Sequence, residues 1–389
     1  MNRVCSIFSQ VLQFIPRTEF AAAVEEHKAE RHARGFSCWT QLVAMLFCQL
    51  GRAQSLREIV GGLAASEGKL QHLGVQVAPK RSTLAYANEH RPWQVFQKAF
   101  EGIYQRCAAD IWHQGRRKFR FHHKLLSLDA TMVPLCLSVF DWAQYRRSKG
   151  AIKLHLVLDH DGYLPRFAVV TDGKTSDMAI ARGLDFEPGT MLVIDRGYQD
   201  FRWWLELSRR KVFFVTRLKD NAEYTIVEER PANWDREILR DEIVFLNKLG
   251  EAGREALMRR IEVWVEEKQE SMVFFTNNLK LAATTIAAIY KERWQVELFF
   301  KALKQSLRIK TFVGTSANAV MIQIWTALIA MLVVKYLQLR SSFRWSLSNL
   351  VALLRHQLFV YRDLEAWLNQ PFQPPPDVQI AEQLSLGLG

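Results

Sequence analysis

Cysteine is scarce in this sequence, and its spacing excludes two kinds of scaffold. The 389 residues include five cysteines, no two of which form a C-x-x-C pair: Cys5, Cys38, Cys48, Cys107 and Cys136. An odd number of widely spaced thiols argues against a zinc site and against a disulfide framework. We therefore expect a protein of the reducing cytoplasm, in which most of the thiols are small buried hydrophobes.

Long apolar runs are also missing. The N-terminal stretch MNRVCSIFSQVLQF lacks the apolar core and the small-residue cleavage site of a secretory signal. One apolar segment, MIQIWTALIAMLVV at 321–334, would reach only about 21 Å as a helix, whereas a bilayer core is about 30 Å thick. We predict a buried core helix there and no membrane partner.

Negative charge falls short of positive charge. The sequence has 52 Lys and Arg against 40 Asp and Glu, a formal net charge of +12, and its pI is about 9.5. Such a surplus favours a polyanionic partner, either nucleic acid or an acidic membrane face, with a merely basic soluble protein as the alternative. The composition, 49% hydrophobic and 24% charged, is that of a globular chain whose length allows two or three domains.

The first 115 residues read as helices. The segment CWTQLVAMLFCQLG is an apolar helix that ends at Gly51, and SLREIVGGLAA begins with a serine cap. A later helix is capped by Ser82 in this interpretation and is preceded by Lys80 and Arg81. Two short helices, a turn and a basic-flanked helix favour a helix-turn-helix-like DNA-binding domain, with an ordinary helical bundle as the alternative.

A β-rich texture begins after the basic junction at 116–124. LLSLDAT, AIKLHLVLD and LPRFAVVTD are apolar, β-branched runs separated by turn residues, and alternating helices and strands follow. This order predicts an α/β fold whose mixed sheet starts with an antiparallel meander. We divide the chain into a helical DNA-binding domain 1–115, a first core part 116–219, a β-rich insertion 220–281, a second core part 282–345, and C-terminal helices with a tail, a candidate oligomerisation surface, at 346–389.

Two aspartates end apolar runs of the predicted sheet. Asp129 follows LLSL and Asp195 follows MLVI. Adjacent strand ends of an open α/β sheet face one crevice, and a bare carboxylate there needs solvent, a cation or a metal ion. Each aspartate alone is more often a turn or cap residue, so the pair has weight only together with a third carboxylate.

The third carboxylate lies in AAIYKERWQVELFFKALKQSLRIK (287–310), which reads as one helix. At about 100° per residue, four side chains fall within an arc of about 60° on one side: Tyr290, Arg293, Glu297 and Lys304. A separate apolar stripe faces a core: Val296, Phe299, Leu303 and Leu307. A solvated face with an i,i+4 salt bridge between Arg293 and Glu297 is the alternative.

Asp129, Asp195 and Glu297 together form an all-oxygen donor set, which suits Mg²⁺ or Mn²⁺. Two such ions activate a water or a 3′-hydroxyl and stabilise the leaving oxygen of a phosphodiester. The cations beside Glu297 then bind DNA phosphates. The residues therefore predict metal-dependent phosphoryl transfer on DNA.

The spacing Tyr-x2-Arg-x3-Glu-x6-Lys from Tyr290 to Lys304, the DRGY motif at Asp195 and the upstream Asp129 resemble the DDE transposases of bacterial insertion sequences. The resemblance is to the subgroup with the Y-R-E-K signature, the insertion sequence four family, and it covers about residues 120–340. It implies an RNase H-like core, often interrupted by a β-rich insertion between the second aspartate and the glutamate, and preceded by an all-helical N-terminal domain. Such proteins bind terminal inverted repeats, assemble as oligomers on paired ends, and cut and rejoin DNA with divalent metal.

Carried onto this sequence, the resemblance assigns Asp129, Asp195 and Glu297 as catalytic metal ligands, for Mg²⁺ with Mn²⁺ as a substitute. It assigns contacts with DNA near the cleaved end to Tyr290, Arg293 and Lys304. Our further candidates for DNA contact are Arg196, Lys149, Lys153 and His155. Alternation puts Lys153 and His155 on one face of their strand, and we expect that face to lie near Asp129. Weak candidates for stacking on a flipped base are Trp234 and Trp264.

We therefore interpret the chain as a cut-and-paste DNA transposase, a homodimer on double-stranded transposon ends and target DNA, in the bacterial cytoplasm at the nucleoid. Two alternatives stay open: a DNA-binding repressor or remnant that keeps the fold without catalysis, and a nuclease of the same fold that hydrolyses but never rejoins DNA. Strand transfer into target DNA distinguishes the transposase from the nuclease. Metal-dependent nicking distinguishes both from the remnant.

Overall fold

The computed structural model describes the larger part of the chain. The described residues are 5–31, 33–66, 68–113, 119, 124–135, 140, 142, 144–146, 149–219, 222–231, 237–307, 309 and 311–373. Trp234, the tail after residue 373 and most of the basic junction at 116–124 lie outside this set, as does the side chain of Lys149.

Helices form both ends of the described chain, and shorter helices connect some of the strands. In chain order they are α1 (Ile7–Leu12), α2 (Arg17–Glu26), α3 (Cys38–Leu50), α4 (Leu56–Ala64), α5 (Arg81–His90), α6 (Gln94–His113), α7 (Asp177–Arg182), α8 (Phe201–Arg209), α9 (Glu251–Glu255), α10 (Ala283–Lys291), α11 (Trp294–Ser306), α12 (Ala317–Arg340), α13 (Leu347–Gln357) and α14 (Leu364–Asn369). The predicted serine cap of α4 is confirmed, since the Ser55 hydroxyl accepts from the Glu58 amide at 3.2 Å. The predicted cap at Ser82 is wrong, because α5 already begins at Arg81 and Lys80 precedes it without a side-chain bond.

The strands join into one mixed sheet, ten-stranded over the described residues. They are β1 (Leu125–Leu135), β2 (Gln144–Arg146), β3 (Lys149–Asp159), β4 (Leu164–Asp172), β5 (Met191–Ile194), β6 (Phe213–Arg217), β7 (Tyr224–Arg230), β8 (Ile238–Leu246), β9 (Met258–Val265) and β10 (Glu270–Thr276). Their order is β2-β3-β1-β5-β6-β10-β9-β8-β7, and β4 also pairs with β3. β1, β3 and β4 form an antiparallel meander, whereas β5 pairs in parallel with both β1 and β6. The predicted α/β class with an opening meander is confirmed.

The strands between residues 220 and 281 extend this same sheet. β7, β8, β9 and β10 pair antiparallel in a row, and β10 joins β6. Ion pairs are buried within them: Arg259 Nε lies 2.7 Å from Asp241 Oδ1, and Arg260 Nη1 lies 2.8 Å from Glu242 Oε2. The guanidinium and carboxylate groups thus satisfy one another's hydrogen-bonding capacity inside the sheet.

Hydrophobic clusters hold the layers together. The largest joins α1–α6 to α11–α14 and to one face of β1 and β3. Another packs α7 and α8 on the opposite face of the sheet, and a third lies under α10. The N-terminal helices therefore share their core with the helices that follow the sheet.

α12 is a core helix that extends beyond the apolar segment 321–334 at both ends. It has 24 residues, enough by length and composition to cross a membrane, but 83% of its most apolar stretch is buried inside the protein. α3, α5, α6 and β4 pack around it. Its Gln323 side chain is bonded internally, to the Thr311 carbonyl at 2.8 Å and the Val313 amide at 2.9 Å. The buried-helix prediction is confirmed. The length argument against a membrane span is wrong, because the helix continues beyond the apolar segment 321–334 through polar residues such as Asn318 and Lys335.

The predicted single helix at 287–310 is two helices. α10 ends at Lys291 and α11 begins at Trp294. Between them, the amides of Glu292 and Arg293 each bond at 3.0 Å to the carbonyl three residues earlier, which makes a tight turn and interrupts the α-helical periodicity. The single-helix prediction is therefore wrong, but the predicted apolar stripe is confirmed as buried: Val296, Phe299, Leu303 and Leu307.

Candidate active site

Asp129 and Asp195 occupy matching positions on neighbouring parallel strands. The register between β1 and β5 ends with Leu128 opposite Ile194, so the next residue on each strand is an aspartate. Paired strands lie about 4.8 Å apart, which brings both residues to one crevice. Asp195 ends its strand as predicted, but the strand-end position of Asp129 is wrong, because β1 continues to Leu135 against β3.

Backbone amides fix one oxygen of each aspartate. Asp129 Oδ1 accepts from the Ala130 amide at 2.8 Å. Asp195 Oδ1 accepts from the Arg196 amide at 2.7 Å, at the start of the short turn Arg196–Tyr198. These bonds orient both carboxylates relative to the strands that carry them.

Glu297 lies on the first turn of α11 and reaches the sheet through Arg293. Arg293 Nη2 bonds Glu297 Oε1 at 2.7 Å, and Arg293 Nη1 is 4.0 Å from Asp129 Oδ2. Burial lowers the pKa of this guanidinium, but three neighbours together raise it above its usual value: Tyr290, Glu297 and Asp195. The structure therefore gathers the three predicted carboxylates around one cation.

The Asp129 carboxyl sits where a negative charge is unfavourable. Burial raises its pKa to about 6, although the Ala130 amide and Arg293 act in the lowering direction. The negative charges of Asp195 and Glu297 raise the pKa further. A cation bound beside Asp129 relieves both the desolvation and the repulsion, so the electrostatics favour cation binding here.

An open cleft of about 490 Å³ lies over Asp129 and Glu297. It is lined by Asp129, Ala130, Thr131, Glu297, Phe300, Lys301, Lys304 and Gln305. Lys304 Nζ donates to Thr131 Oγ1 at 2.6 Å and to the Met132 carbonyl at 2.9 Å. Helix α11 is thus tied to β1, and a cation stands at the cleft beside Glu297.

Comparison with known proteins identifies the family. The transposase DDE domain matches residues 120–333, more than half of the chain. The chain belongs to the DDE transposase family. Residues 4–76 match a second family, described only as a domain of unknown function. The family predicted from the sequence is confirmed, and with it the function of a DNA-cleaving transposase.

Curated relatives of the transposase carry matching names. It is 32% identical to a putative transposase of Sinorhizobium fredii over 304 residues, and this alignment covers 77% of this chain and 82% of the relative. It is 28% identical over 259 residues to a probable transposase for insertion sequence element IS5377 of Geobacillus stearothermophilus, covering 66% of this chain and 67% of the relative. Among solved structures, the piggyBac transposase synaptic complex with hairpin DNA matches with a TM-score of 0.41 at 9% identity, over 91% of this chain and 78% of that one.

Tyr290 of the transposase is largely buried. Its exposed fraction is 8%, and its ring packs on Phe274 with centroids 4.9 Å apart. The guanidinium carbon of Arg293 lies 5.8 Å from the same ring. Tyr290 therefore supports Arg293 from the protein side, and burial raises the pKa of its hydroxyl.

Lys153 and His155 lie on the face of the sheet opposite to Asp129. His155 pairs directly with Ala130, and directly paired residues of antiparallel strands share a face. Both side chains contact the first residue of α7, since Lys153 Nζ is 3.1 Å and His155 Nδ1 is 3.5 Å from Asp177 Oδ1. Burial lowers the pKa of His155 to about 4. The expectation that this face lies near the Asp129 carboxylate is wrong. Alternation along β3 places Lys153 and His155 on one face of the sheet, but it does not determine which side chains of β1 lie on that face.

The remaining predicted residues are dispersed. Arg196 is exposed directly after Asp195, and Lys149 begins β3. Trp264 lies on β9, three strands beyond β5 in the sheet order, where its indole donates to Glu266 at 2.8 Å. Of these three, Arg196 alone adjoins one of the two strand aspartates.

Sequence reasoning did not assign Asp177 or Tyr198 to the site. The Tyr198 hydroxyl is buried and has no hydrogen-bond partner among the described residues. Burial raises its pKa, and the charges of Asp129, Asp177 and Asp195 raise it further, so it lies close to the carboxylates. Its position in the DRGY motif, three residues after Asp195, is the signal that could have found it.

The carboxylates do not form a ready-made metal cage. Across the ranges given above, no group of three or more His, Cys, Asp or Glu side chains stands close enough to hold an ion. The donor set of Asp129, Asp195 and Glu297 is nevertheless all oxygen, which fits Mg²⁺ or Mn²⁺ rather than zinc. Members of the DDE transposase family use divalent metal ions in general, and the identity of the ion stays a prediction.

Proposed function

We propose that this transposase cuts and rejoins DNA by two-metal phosphoryl transfer, with Asp129, Asp195 and Glu297 as ligands of Mg²⁺ or Mn²⁺. The observation that supports the proposal is Arg293, which contacts both Asp129 and Glu297 at an open cleft, while Asp195 follows the strand paired with β1. When bound, the ions supply an activated water or 3′-hydroxyl and neutralise charge at the scissile phosphate.

Cations flank the carboxylates in positions that suit a DNA backbone. Arg293 and Lys304 lie at the two ends of the segment that carries Glu297, and in our proposal both bind phosphates near the cleaved end. Tyr290 supports the Arg293 guanidinium through its ring. Arg196 is a further phosphate contact, because it is exposed directly beside Asp195.

Lys149, Lys153 and His155 have different support. Lys149 stays a predicted DNA contact at the start of β3. The ion pair of Lys153 with Asp177 and the 3.5 Å contact of His155 with the same carboxylate favour a structural role, in which they anchor α7 to the sheet.

The finer fold and the partners also belong to this proposal. The strand order β4-β3-β1-β5-β6, antiparallel and then parallel, supports an RNase H-like core of the Y-R-E-K subgroup. In it, β7–β10 are the insertion before Glu297, and α1–α6 are the DNA-binding domain. We propose terminal inverted repeats and target DNA as partners, a homodimer on paired ends, and action at the nucleoid in the cytoplasm. The domain boundaries at 115, 219, 281 and 345 are proposed on the same basis.

The test is cleavage of labelled transposon ends by purified single variants with Mg²⁺ or Mn²⁺ and a plasmid target. Asp129→Ala, Asp195→Ala and Glu297→Ala are each expected to lower cleavage by at least about 10³-fold, since each removes a proposed metal ligand. Asp185→Ala is the matched control, because its carboxylate is 94% exposed before β5. Cleavage at the wild-type rate by any of the three variants would contradict the ligand assignment.

The products of the same assay separate the alternatives. Joined products between end and plasmid support the transposase, whereas nicking without joining would favour a nuclease of this fold. Specific binding of the ends without metal-dependent nicking by the wild-type chain would favour a catalytically silent DNA-binding protein.

A further inference from the structure

A polar cluster close to the candidate active site consists of the buried residues Ser127, His160 and Glu292 and the half-buried Tyr163. Ser127 Oγ and His160 Nε2 are 2.6 Å apart, and the Tyr163 hydroxyl donates to Glu292 Oε2 at 2.8 Å. His160 Nδ1 lies 3.9 Å from the same glutamate oxygen. The rings of His160 and Tyr163 meet edge to face, with centroids 5.5 Å apart. The four side chains thus form one continuous group of contacts.

The cluster connects the two halves of the candidate active site. Ser127 lies two residues before Asp129 on β1, on the same face of the strand. Glu292 lies in the tight turn between α10 and α11, directly before Arg293. A chain of contacts therefore runs from β1, which carries Asp129, to the turn at Glu292. The residue after this turn, Arg293, contacts both Asp129 and Glu297.

Burial of the glutamate needs a physical reason. Glu292 is 5% exposed, and removal of a carboxylate from water costs several kcal/mol, which good hydrogen bonds must offset. An ordinary turn between two helices does not require a buried carboxylate. Here the Glu292 side chain is held by Tyr163 while the Glu292 carbonyl accepts from the Gln295 amide at 3.0 Å, so one residue fixes both the turn and its attachment to the sheet.

A hydrolytic role for the cluster is excluded by access. A serine, a histidine and a glutamate in sequence are reminiscent of a nucleophilic triad. Ser127 is 0% exposed, so its hydroxyl has no path to a substrate. The cluster therefore acts on the cleft through the backbone that it holds.

We propose that Glu292 is a positioning residue for the transposase reaction. Held by the hydrogen bond from Tyr163 and packed beside the His160 imidazole, it fixes the turn that directs the Arg293 guanidinium between Asp129 and Glu297. This inference rests on the roles given to those three residues under the proposed function.

Variants that remove single contacts test the inference. Tyr163→Phe removes the donor and keeps the ring, Glu292→Leu removes the acceptor, and Glu292→Gln keeps an acceptor oxygen. Tyr336→Phe is the matched control, because it also removes a tyrosine hydroxyl that donates to a carboxylate. Tyr336 on α12 donates to Asp110 on α6. Each variant is measured for end cleavage, for thermal unfolding, and for Mn²⁺ affinity without DNA by electron paramagnetic resonance.

Tyr163→Phe and Glu292→Leu are expected to weaken Mn²⁺ binding and to slow cleavage by about 10-fold or more, as residues that orient metal ligands do. Glu292→Gln is expected to restore both to within about 3-fold of the wild type. Tyr336→Phe is expected to leave both unchanged even where it lowers the unfolding temperature as much as Tyr163→Phe.

Three results would overturn the positioning role. The first is wild-type Mn²⁺ affinity and cleavage in Tyr163→Phe, and the second is an equal loss in Tyr336→Phe at equal loss of stability. The third is a Glu292→Gln variant as impaired as Glu292→Leu. If the wild type itself shows no difference from Asp129→Ala in Mn²⁺ binding or cleavage, the proposed function fails, and this inference fails with it.

Discussion

Replacement of Lys335 by methionine is expected to stabilise the folded transposase. Lys335 lies on the core helix α12, where its ammonium is 3.3 Å from Gln338 Oε1 and 5.7 Å from the ring of Tyr163. Burial lowers the pKa of Lys335 from 10.5 to about 8, because the ammonium loses hydration. Methionine keeps an unbranched side chain of similar length and carries no charge to desolvate.

The sign and size of the effect follow from linkage. The folded chain holds this proton more weakly than the unfolded chain, so the penalty is complete below about pH 8 and disappears as the pH rises toward 10.5. At about 1.4 kcal/mol per pKa unit, the ceiling is about 3 kcal/mol. Partial exposure of the side chain and loss of the bond to Gln338 reduce the expected gain to about 2 kcal/mol at neutral pH.

Urea unfolding followed by circular dichroism checks this expectation. The free energy of unfolding of Lys335→Met is compared with that of the wild type at about pH 7 and about pH 9.5, where the gain is expected to shrink. Lys98→Met is the control, because its side chain is 48% exposed. A less stable Lys335→Met at neutral pH, or a gain that is equal at both pH values, would refute the reasoning.

Three further predictions concern single contacts. Asp241→Ala removes the carboxylate that lies 2.7 Å from the buried guanidinium of Arg259 and leaves this cation without a negative partner. It is expected to lower the free energy of unfolding in urea by about 3–5 kcal/mol; a loss below about 1 kcal/mol would show that water reaches the pair. Ser316→Ala removes the hydroxyl that accepts from the Ala319 amide at 3.2 Å before α12, so stability is expected to fall by about 1 kcal/mol, and an unchanged midpoint would contradict the cap. Lys304→Met removes a proposed phosphate contact and is expected to slow end cleavage by about 10-fold or more with the fold retained by circular dichroism; a wild-type rate would argue against that contact.

The sequence correctly predicts that the segments before the two aspartates are strands of one sheet, because each segment has a local pattern that identifies it. Each follows a short run of buried apolar residues, and the parallel partners β1 and β5 are both of that type. Burial on both faces leaves a run that periodicity and composition can detect. The extension of β1 beyond Asp129 was not detectable in this way, because it depends on pairing with β3 rather than on apolar character.

Contacts between distant residues explain what the sequence could not reveal. The Glu292 side chain in the turn after α10 accepts a hydrogen bond from Tyr163, which lies 129 positions earlier in the chain. The sequence around Glu292 does not reveal this contact. For Lys153 and His155, alternation gives two side chains on one face, but the pairing register decides that the face is that of Ala130. Tertiary pairing and not propensity decides both features.

Under the proposed function, the charge at the cleft predicts that a divalent cation must bind before the scissile phosphate of a DNA end can occupy it. The chain as a whole is basic, with a formal charge of +12. At the cleft, however, Asp129 and Glu297 contact the guanidinium of Arg293, and Asp195 adds a further negative charge near that guanidinium. A phosphate placed there adds another negative charge, and two like charges about 4 Å apart repel by about 4 kcal/mol at an effective dielectric constant of about 20. In the proposed function, basic residues elsewhere on the chain bind DNA phosphates without this repulsion.

Metal removal is therefore expected to separate binding of the transposon end from engagement of its scissile phosphate. With EDTA, the affinity measured by fluorescence anisotropy should change little and should fall with salt. Protection of the terminal phosphate in chemical footprinting should be lost, and it should return with Ca²⁺, another oxygen-binding divalent cation. Equal protection in EDTA and in Ca²⁺ would mean that the three carboxylates do not face the scissile phosphate, because repulsion between carboxylates and phosphate should lower protection when no divalent cation is bound.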